Sequence, residues 1–236
     1  YLAADGFAGK RDILEAPRGL FNIITANNVE EPERILTDWG KPYRIHEIGI
    51  KFYPCCYHLQ RLIEETLSVK AEFGLGAADI EEVECHVNAF FPTVVQHPEP
   101  SNEIEAQFSL PHVLSIAMID GDVLPEGFSK EKITSEDFKQ FRKKVKTIVR
   151  KEWGWNPHGW TPEIIFRFKD GRSITRNPVT AKGQPPALIS FEECIPKYQG
   201  CVRNILSDEQ VTASINLLRE LDSLNDVSEL IRLVTV

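Results

Sequence analysis

Gly49-Ile50-Lys51-Phe52-Tyr53-Pro54-Cys55-Cys56-Tyr57-His58 is the stretch on which the reading of this chain turns. It predicts the end of a strand running from Ile45 to Tyr53, then a proline, then the first turn of a helix that continues to Phe73. Apolar positions recur at Leu59, Leu62, Ile63, Thr66 and Leu67, the spacing of one helix face. Pro54 suits the helix entry, where its missing N–H would have had no partner. A helix start leaves backbone N–H groups unpaired, and these favour a nearby anion. Lys51 adds a full positive charge at the same place. The local chemistry points to a pocket for a carboxylate or phosphate. By spacing alone, a solvated lysine at a strand end is the plainer alternative.

Before this stretch, a short helical piece ends near Gly6 or Gly9, and a polar loop from Asn27 to Glu33 leads into a short helix reaching Trp39. After it, Val83, Cys85, Val87 and Ala89 alternate with polar residues, the pattern of a half-buried strand. Phe91 to Pro100, with three prolines and His97, predicts a loop. Ser109 as N-cap, Pro111 in the first turn and Gly121 beyond the end punctuate a helix that carries His112 in its first turn. Thr134-Ser135-Glu136-Asp137 has the capping-box pattern ahead of Phe138, Phe141 and Val145. The basic run from Arg142 to Lys151 is expected to be a solvated face guarding a strand edge. Ile164, Phe166 and Phe168 lead to Asp170-Gly171 and Ile174, a hairpin signal. Capping boxes at Ser190 and Ser207 open two helices, the first of which Pro196 should shorten or kink. Strands and helices in the middle with helices at both ends predict an α+β fold, a small α+β unit set on a helical body.

Bulk properties narrow the function. The 236 residues carry Lys+Arg 27 against Asp+Glu 35, a net charge of −8. Such a field opposes nucleic acid and anionic membrane surfaces, so neither is expected as a partner. No run approaches the ~18 apolar residues that span a bilayer. The five cysteines, with no C-x-x-C pair, argue against a disulfide framework or a zinc site. A reducing compartment is expected, either cytoplasm or mitochondrial matrix. The chain opens on Tyr1 rather than Met, which suggests a fragment.

Lys51-Phe52-Tyr53-Pro54-Cys55-Cys56 resembles the K-x-Y-P-C-C motif of the MmgE/PrpD family. Three more stretches agree in order: Gly6 to Glu15, Glu105 to Gly121, and Gly183 to Glu193. The likeness covers nearly the whole chain and corresponds to the second half of a family member. It implies a two-domain, cofactor-free homodimer with a large helical domain, a smaller α+β lid and an active site between them. On that likeness residues 1–43 are the tail of the helical domain and a linker, 44–186 the lid, and 187–236 helices returning to a helical domain mostly missing here. Several family active-site groups, an Asp, a Thr, histidines and a lysine, then belong to the absent first half.

Carried over by position, Lys51 matches the lid lysine that contacts a substrate carboxylate. Cys56 stands where decarboxylase-like members have histidine, Gln60 where double-cysteine members often have histidine, and His112 where tyrosine is frequent. Lys51 and His112 are the candidate catalytic residues, the first electrostatic and the second acid/base or positioning. Lys51, Cys56, His58 and Ser109 are the candidate substrate-binding residues, and no metal site is expected. Cys56 could be an activated nucleophile, although a packed, inert cysteine is the plainer reading. The expected function is the C-terminal part of a lyase or isomerase acting on a small, citrate-like di- or tricarboxylate. Dehydration by proton abstraction beside a carboxylate comes first among its reactions, and the fragment by itself is expected to be inactive. The alternative is a binding or interaction module that kept the lid fold without the chemistry.

Overall fold

The structure, a computed structural model, describes residues 1, 4–6, 8–9, 11–24, 40–41, 43–156 and 160–235. It divides into two units, Tyr1–Ile48 and Gly49–Val236. In the first, helix α1 (Leu20–Ile24) follows a tight run of turns that buries Ala16, whose carbonyl accepts the Asn22 side-chain amide at 2.8 Å. The loop and helix expected between Asn27 and Trp39 lie outside the described residues.

The second unit opens without the expected strand. Arg44–Glu47, at the end of the first unit, is a 3-10 turn, and no sheet strand follows before Tyr57. A strand needs a neighbouring ladder. Here the Ile50 N–H goes to one loop carbonyl, Gly183, at 2.7 Å, and the Phe52 and Tyr53 amides go to a side chain. The helix does form, as a 3-10 turn at Tyr57–Leu59 running into α2 (Gln60–Phe73), with Leu62, Ile63, Thr66 and Val69 buried. Gly74, in the left-handed conformation, ends it.

Then come β1 (Ile80–Asn88), α3 (Phe91–Val94), α4 (Glu103–Gln107), α5 (Leu110–Asp120), α6 (Lys130–Thr134), α7 (Glu136–Arg142) and β2 (Val145–Arg150). The hairpin β3 (Glu163–Phe168) and β4 (Ser173–Arg176) precedes three helices, α8 (Phe191–Val202), α9 (Asp208–Arg219) and α10 (Ser228–Val234). The sheet order is β2-β1-β3-β4, with β1 and β2 parallel and the other pairs antiparallel. A parallel pair needs a long crossover, which is where α3 to α7 sit. The unit is therefore α+β, as expected.

One sheet face carries Val83, Cys85, Val87, Ile164, Phe166 and Phe168 into a single core with α2 and α5. Helix α5 is buried from Leu110 to Met118, so it has no solvent stripe. The opposite face is polar: Arg167 pairs with Glu84 at 2.9 Å, and His86 Nδ1 lies 2.8 Å from a Glu163 carboxylate oxygen.

Several local expectations change. The Phe91–Pro100 loop begins with a helical turn, α3. The basic run is the end of α7 and then β2, a largely exposed edge strand, so it does lie along a sheet edge as expected, with Arg142 the exception in being buried. The capping box at Thr134–Asp137 does not form: the Ser135 side chain makes no cap bond, and the Thr134 hydroxyl bonds back to the Lys130 carbonyl at 2.8 Å. Helix α8 runs unbroken through Pro196, while the capping boxes at Ser190 and Ser207 form as expected. Among the described residues no helix is long and apolar enough to cross a membrane.

Candidate functional site

Lys51 sits on an irregular bend that is tied down along its length. At its start, the Gly183 carbonyl receives the Ile50 N–H. Gly183 has φ +81°, and a Cβ there would come 2.3 Å from the Ile50 carbonyl oxygen, so only glycine fits. Further along, the buried Gln60 side chain braces the bend. Its Oε1 accepts from the Phe52 and Tyr53 N–H groups, each at 3.0 Å, and its Nε2 donates to the Tyr53 carbonyl at 3.1 Å. The Cys56 N–H ends the bend on the Gln107 carbonyl at 3.0 Å.

This network occupies the bend's own N–H groups and leaves them none to offer an anion. The N–H groups of Phe52, Tyr53, Cys55 and Cys56 all have intramolecular acceptors. Pro54 lies on the bend, not in the first helical turn, which begins at Tyr57. Positive potential here comes from side chains. Lys51, Tyr53, Pro54, Cys55, Cys56, Gln107, Phe108 and Lys197 line an open recess of about 280 Å³. Lys51 is exposed, and Lys197, half-buried on α8, donates to the Lys51 backbone carbonyl. Neither ammonium has a carboxylate partner among the described residues.

The recess brings together two of the sequence candidates, Lys51 and Cys56. The Cys56 thiol is pushed up by burial, which outweighs the lowering effects of the His58 backbone N–H and of Lys51. Burial and the raised pKa support the packed, inert reading of Cys56 over the nucleophile. Cys55 and the Tyr53 phenol are likewise raised, chiefly by burial.

His58, Ser109 and His112 do not line the recess. His58 packs edge-on to Phe90, with centroids 5.3 Å apart. Ser109 is buried and caps α5, its Oγ accepting the His112 N–H at 3.3 Å. The His112 ring is fully buried beside Phe128 and Phe138. Its Nε2–H donates to the Gly127 carbonyl at 3.0 Å, which leaves Nδ1 to accept from Arg142 at 3.3 Å. Burial first, and then the Arg142 charge, hold its pKa at about 4 against the opposing Gly127 bond, so the ring is neutral near pH 7.

Sequence reasoning missed Lys197 and Gln107 in the lining. Gln107 lay within a motif already noted, but nothing local marks Lys197, which reaches the bend from a helix near the other end of the chain. Across Tyr53, Pro54 and Lys197, which line both spaces, lies a more enclosed cavity of about 120 Å³. Its walls include Phe52, Val123, Leu124, Pro125 and Pro196. Among the described residues no three His, Cys, Asp or Glu side chains converge as a metal site.

The sequence model of the MmgE/PrpD C-terminal domain matches residues 53–223. Over 99% of this chain there is 23% identity to a cis-aconitate decarboxylase of Aspergillus terreus, of which 51% is covered. The mouse cis-aconitate decarboxylase is 25% identical and the human one 23% identical, with 49% of each covered. The chain thus spans about half the length of the curated relatives it matches.

Proposed function

We propose, since this chain belongs to the MmgE/PrpD family, that it is the C-terminal part of a lyase acting on a citrate-like acid. One observation carries the reading. The motif lysine, Lys51, stands exposed at a recess with no carboxylate partner among the described residues, on a bend fixed by Gln60 and Gly183. Loss of carbon dioxide, or abstraction of a proton before loss of water, leaves an electron pair beside a carboxylate. A fixed ammonium at that carboxylate stabilises the developing charge. The decarboxylase names of the relatives support decarboxylation ahead of dehydration. The parent is proposed to be a homodimer in which residues 187–236 rejoin a larger helical body.

A second reading, carboxylate binding without turnover, is favoured by the recess itself. Its thiols and phenol are held protonated at neutral pH, and His112 faces the core. The acid and base are therefore proposed to come from outside these 236 residues, and the isolated chain should show no turnover. The test is carbon dioxide release from cis-aconitate by the full-length protein. Lys51→Ala should cut kcat/KM by about 100-fold or more without moving the melting temperature. Unchanged kinetics would remove Lys51 from the site, and turnover by the 236-residue chain alone would overturn the division of labour.

A further inference from the structure

One atom on the polar face of the sheet has two partners that it cannot serve together. His86, on β1, is 4% exposed, so water cannot readily replace a partner that its ring loses. Arg150, the last residue of β2, reaches its Nδ1 from Nε at 3.2 Å and from Nη2 at 2.9 Å. An oxygen of Glu163, the first residue of β3, lies 2.8 Å from the same Nδ1. Across the ring, Nε2 is 3.3 Å from a Glu84 carboxylate oxygen. A ring nitrogen accepts through its lone pair or donates through its N–H, so Nδ1 serves Arg150 or Glu163 but not both.

The proton makes the choice. In the neutral ring, Nε2–H donates to Glu84 and Nδ1 accepts from Arg150, which leaves the Glu163 oxygen against a lone pair. The other neutral tautomer turns its lone pair on Glu84 and its N–H on Arg150, and loses both bonds. In the imidazolium, Nδ1–H donates to Glu163 and Nε2–H to Glu84, and the guanidinium faces a like charge. One proton from water, taken up at Nδ1, thus exchanges a cation for a carboxylate. Histidine is the side chain whose charge ordinarily changes within the physiological range. The remaining charges nearby are already engaged or turned away. Glu84 is held below the usual carboxylate range by Arg167 first and His86 next, so it stays an anion throughout, and Glu82 shares Arg167 at 3.7 Å. Lys146, across from Glu84 on β2, donates to the Lys143 carbonyl at 3.2 Å. Lys151 and Glu152, on the turn that packs against β1 after β2, make no bond to the ring among the described residues.

We propose that His86 is a proton-operated latch on the end of edge strand β2. Neutral, it holds Arg150; protonated, it passes to Glu163 and lets Arg150 go. The segment so released is 150–156, which is otherwise tied to β1 and its continuation by few bonds. The Ala89 N–H meets the Gly154 carbonyl at 3.3 Å, and the Asn88 side-chain amide meets the Asn156 carbonyl at 2.6 Å. Its exposed Trp155 rests edge-on against Phe90, with centroids 5.1 Å apart. Acidification therefore loosens one sheet corner and leaves the β1–β3 ladder in place.

The test is nuclear magnetic resonance of the full-length protein isotope-labelled at histidine Cε1, with the His86 signal identified by its loss in His86→Asn. Glu163→Gln removes the acceptor of the charged ring and should lower the titration midpoint by about half a pH unit or more. Arg150→Met removes the opposing cation and should raise the midpoint by about the same amount. Hydrogen exchange of the wild type, corrected for its intrinsic pH dependence, reads the release without those substitutions. Segment 150–156 should exchange about threefold faster or more once His86 is charged, while β3 keeps its protection. In His86→Asn, whose amide oxygen still accepts from Arg150 and whose side chain cannot charge, that acceleration should vanish. A midpoint that neither variant moves, or that both move the same way, overturns the proposal. So does a ring that keeps one protonation state from about pH 8 to about pH 5, and so does faster exchange that persists in His86→Asn.

Discussion

Replacing Gln60 by Met tests whether the bend that carries Lys51 is held by a single buried amide. Methionine matches glutamine in length and branching, so the change removes hydrogen bonds without opening a void. Gln60 is 1% exposed and makes three bonds to the backbone, from Phe52 N–H, from Tyr53 N–H and to the Tyr53 carbonyl, at 3.0, 3.0 and 3.1 Å. At about 1 kcal/mol for each bond, the variant should lose about 3 kcal/mol. A unit of this size shifts by roughly 2–4 °C per kcal/mol, so the melting temperature should fall by roughly 6–12 °C. Thermal denaturation followed by circular dichroism reads this directly, with Gln140→Met on the exposed face of α7 as the control that should not move. Hydrogen exchange gives the local readout: the Phe52 and Tyr53 amides should be protected in the wild type and exchange freely in the variant. A melting temperature within about 2 °C of wild type, or unprotected amides before mutation, would show that other contacts hold the bend.

Stability should depend on pH through His112. Its folded-state value of about 4 lies below the ordinary 6.5, so the unfolded chain takes up a proton first as pH falls. The contribution is fully present above about pH 6.5 and is lost toward pH 4, about 2 kcal/mol of it between pH 7 and pH 5. Urea denaturation at the two pH values should show that loss in the wild type and a smaller one in His112→Gln; equal losses would refute the assignment. Gly183→Ala forces a side chain into the left-handed region, 2.3 Å from the Ile50 carbonyl oxygen. It should cost at least about 2 kcal/mol in the same denaturation assay, and a neutral outcome would mean that the 183–187 turn does not press on the bend. Iodoacetamide at neutral pH should label Cys194 and Cys201 in the native protein and reach Cys55, Cys56 and Cys85 only after unfolding, as mass spectrometry would show. Rapid native labelling of Cys56 would revive it as a nucleophile.

Helix ends were legible because their causes lie within a turn of the residue concerned. Ser109, Ser190 and Ser207 each cap the helix that begins after them, and Gly74 and Gly121 end theirs in the left-handed conformation that glycine permits. The β3–β4 hairpin was legible for the same reason, with Gly171 in its turn. Strand β2 was not: Val145–Arg150 is an edge, exposed along most of its length, so burial writes little alternation into it. The opposite error fell on residues 45–53, where apolar residues suggested a strand but no ladder partner lies beside them. Gln60 was noticed only as a departure from a frequent histidine. Its role as a brace depends on the backbone doubling back over α2, which no spacing records.

By itself the sequence determined the family and the elements that short-range hydrogen bonding and periodicity specify. Only the tertiary structure decided which side chains share a space. The packing of α5 against α7 and the Pro125–Phe128 turn directs His112 inward to a carbonyl and an arginine. The return of α8 past the bend puts Lys197 beside Lys51, 146 positions away in the chain. Capping and helix periodicity act between residues a few positions apart and so leave their mark in local sequence. Convergence of distant charges is set by how whole elements bury their apolar faces, and no single stretch of residues encodes it.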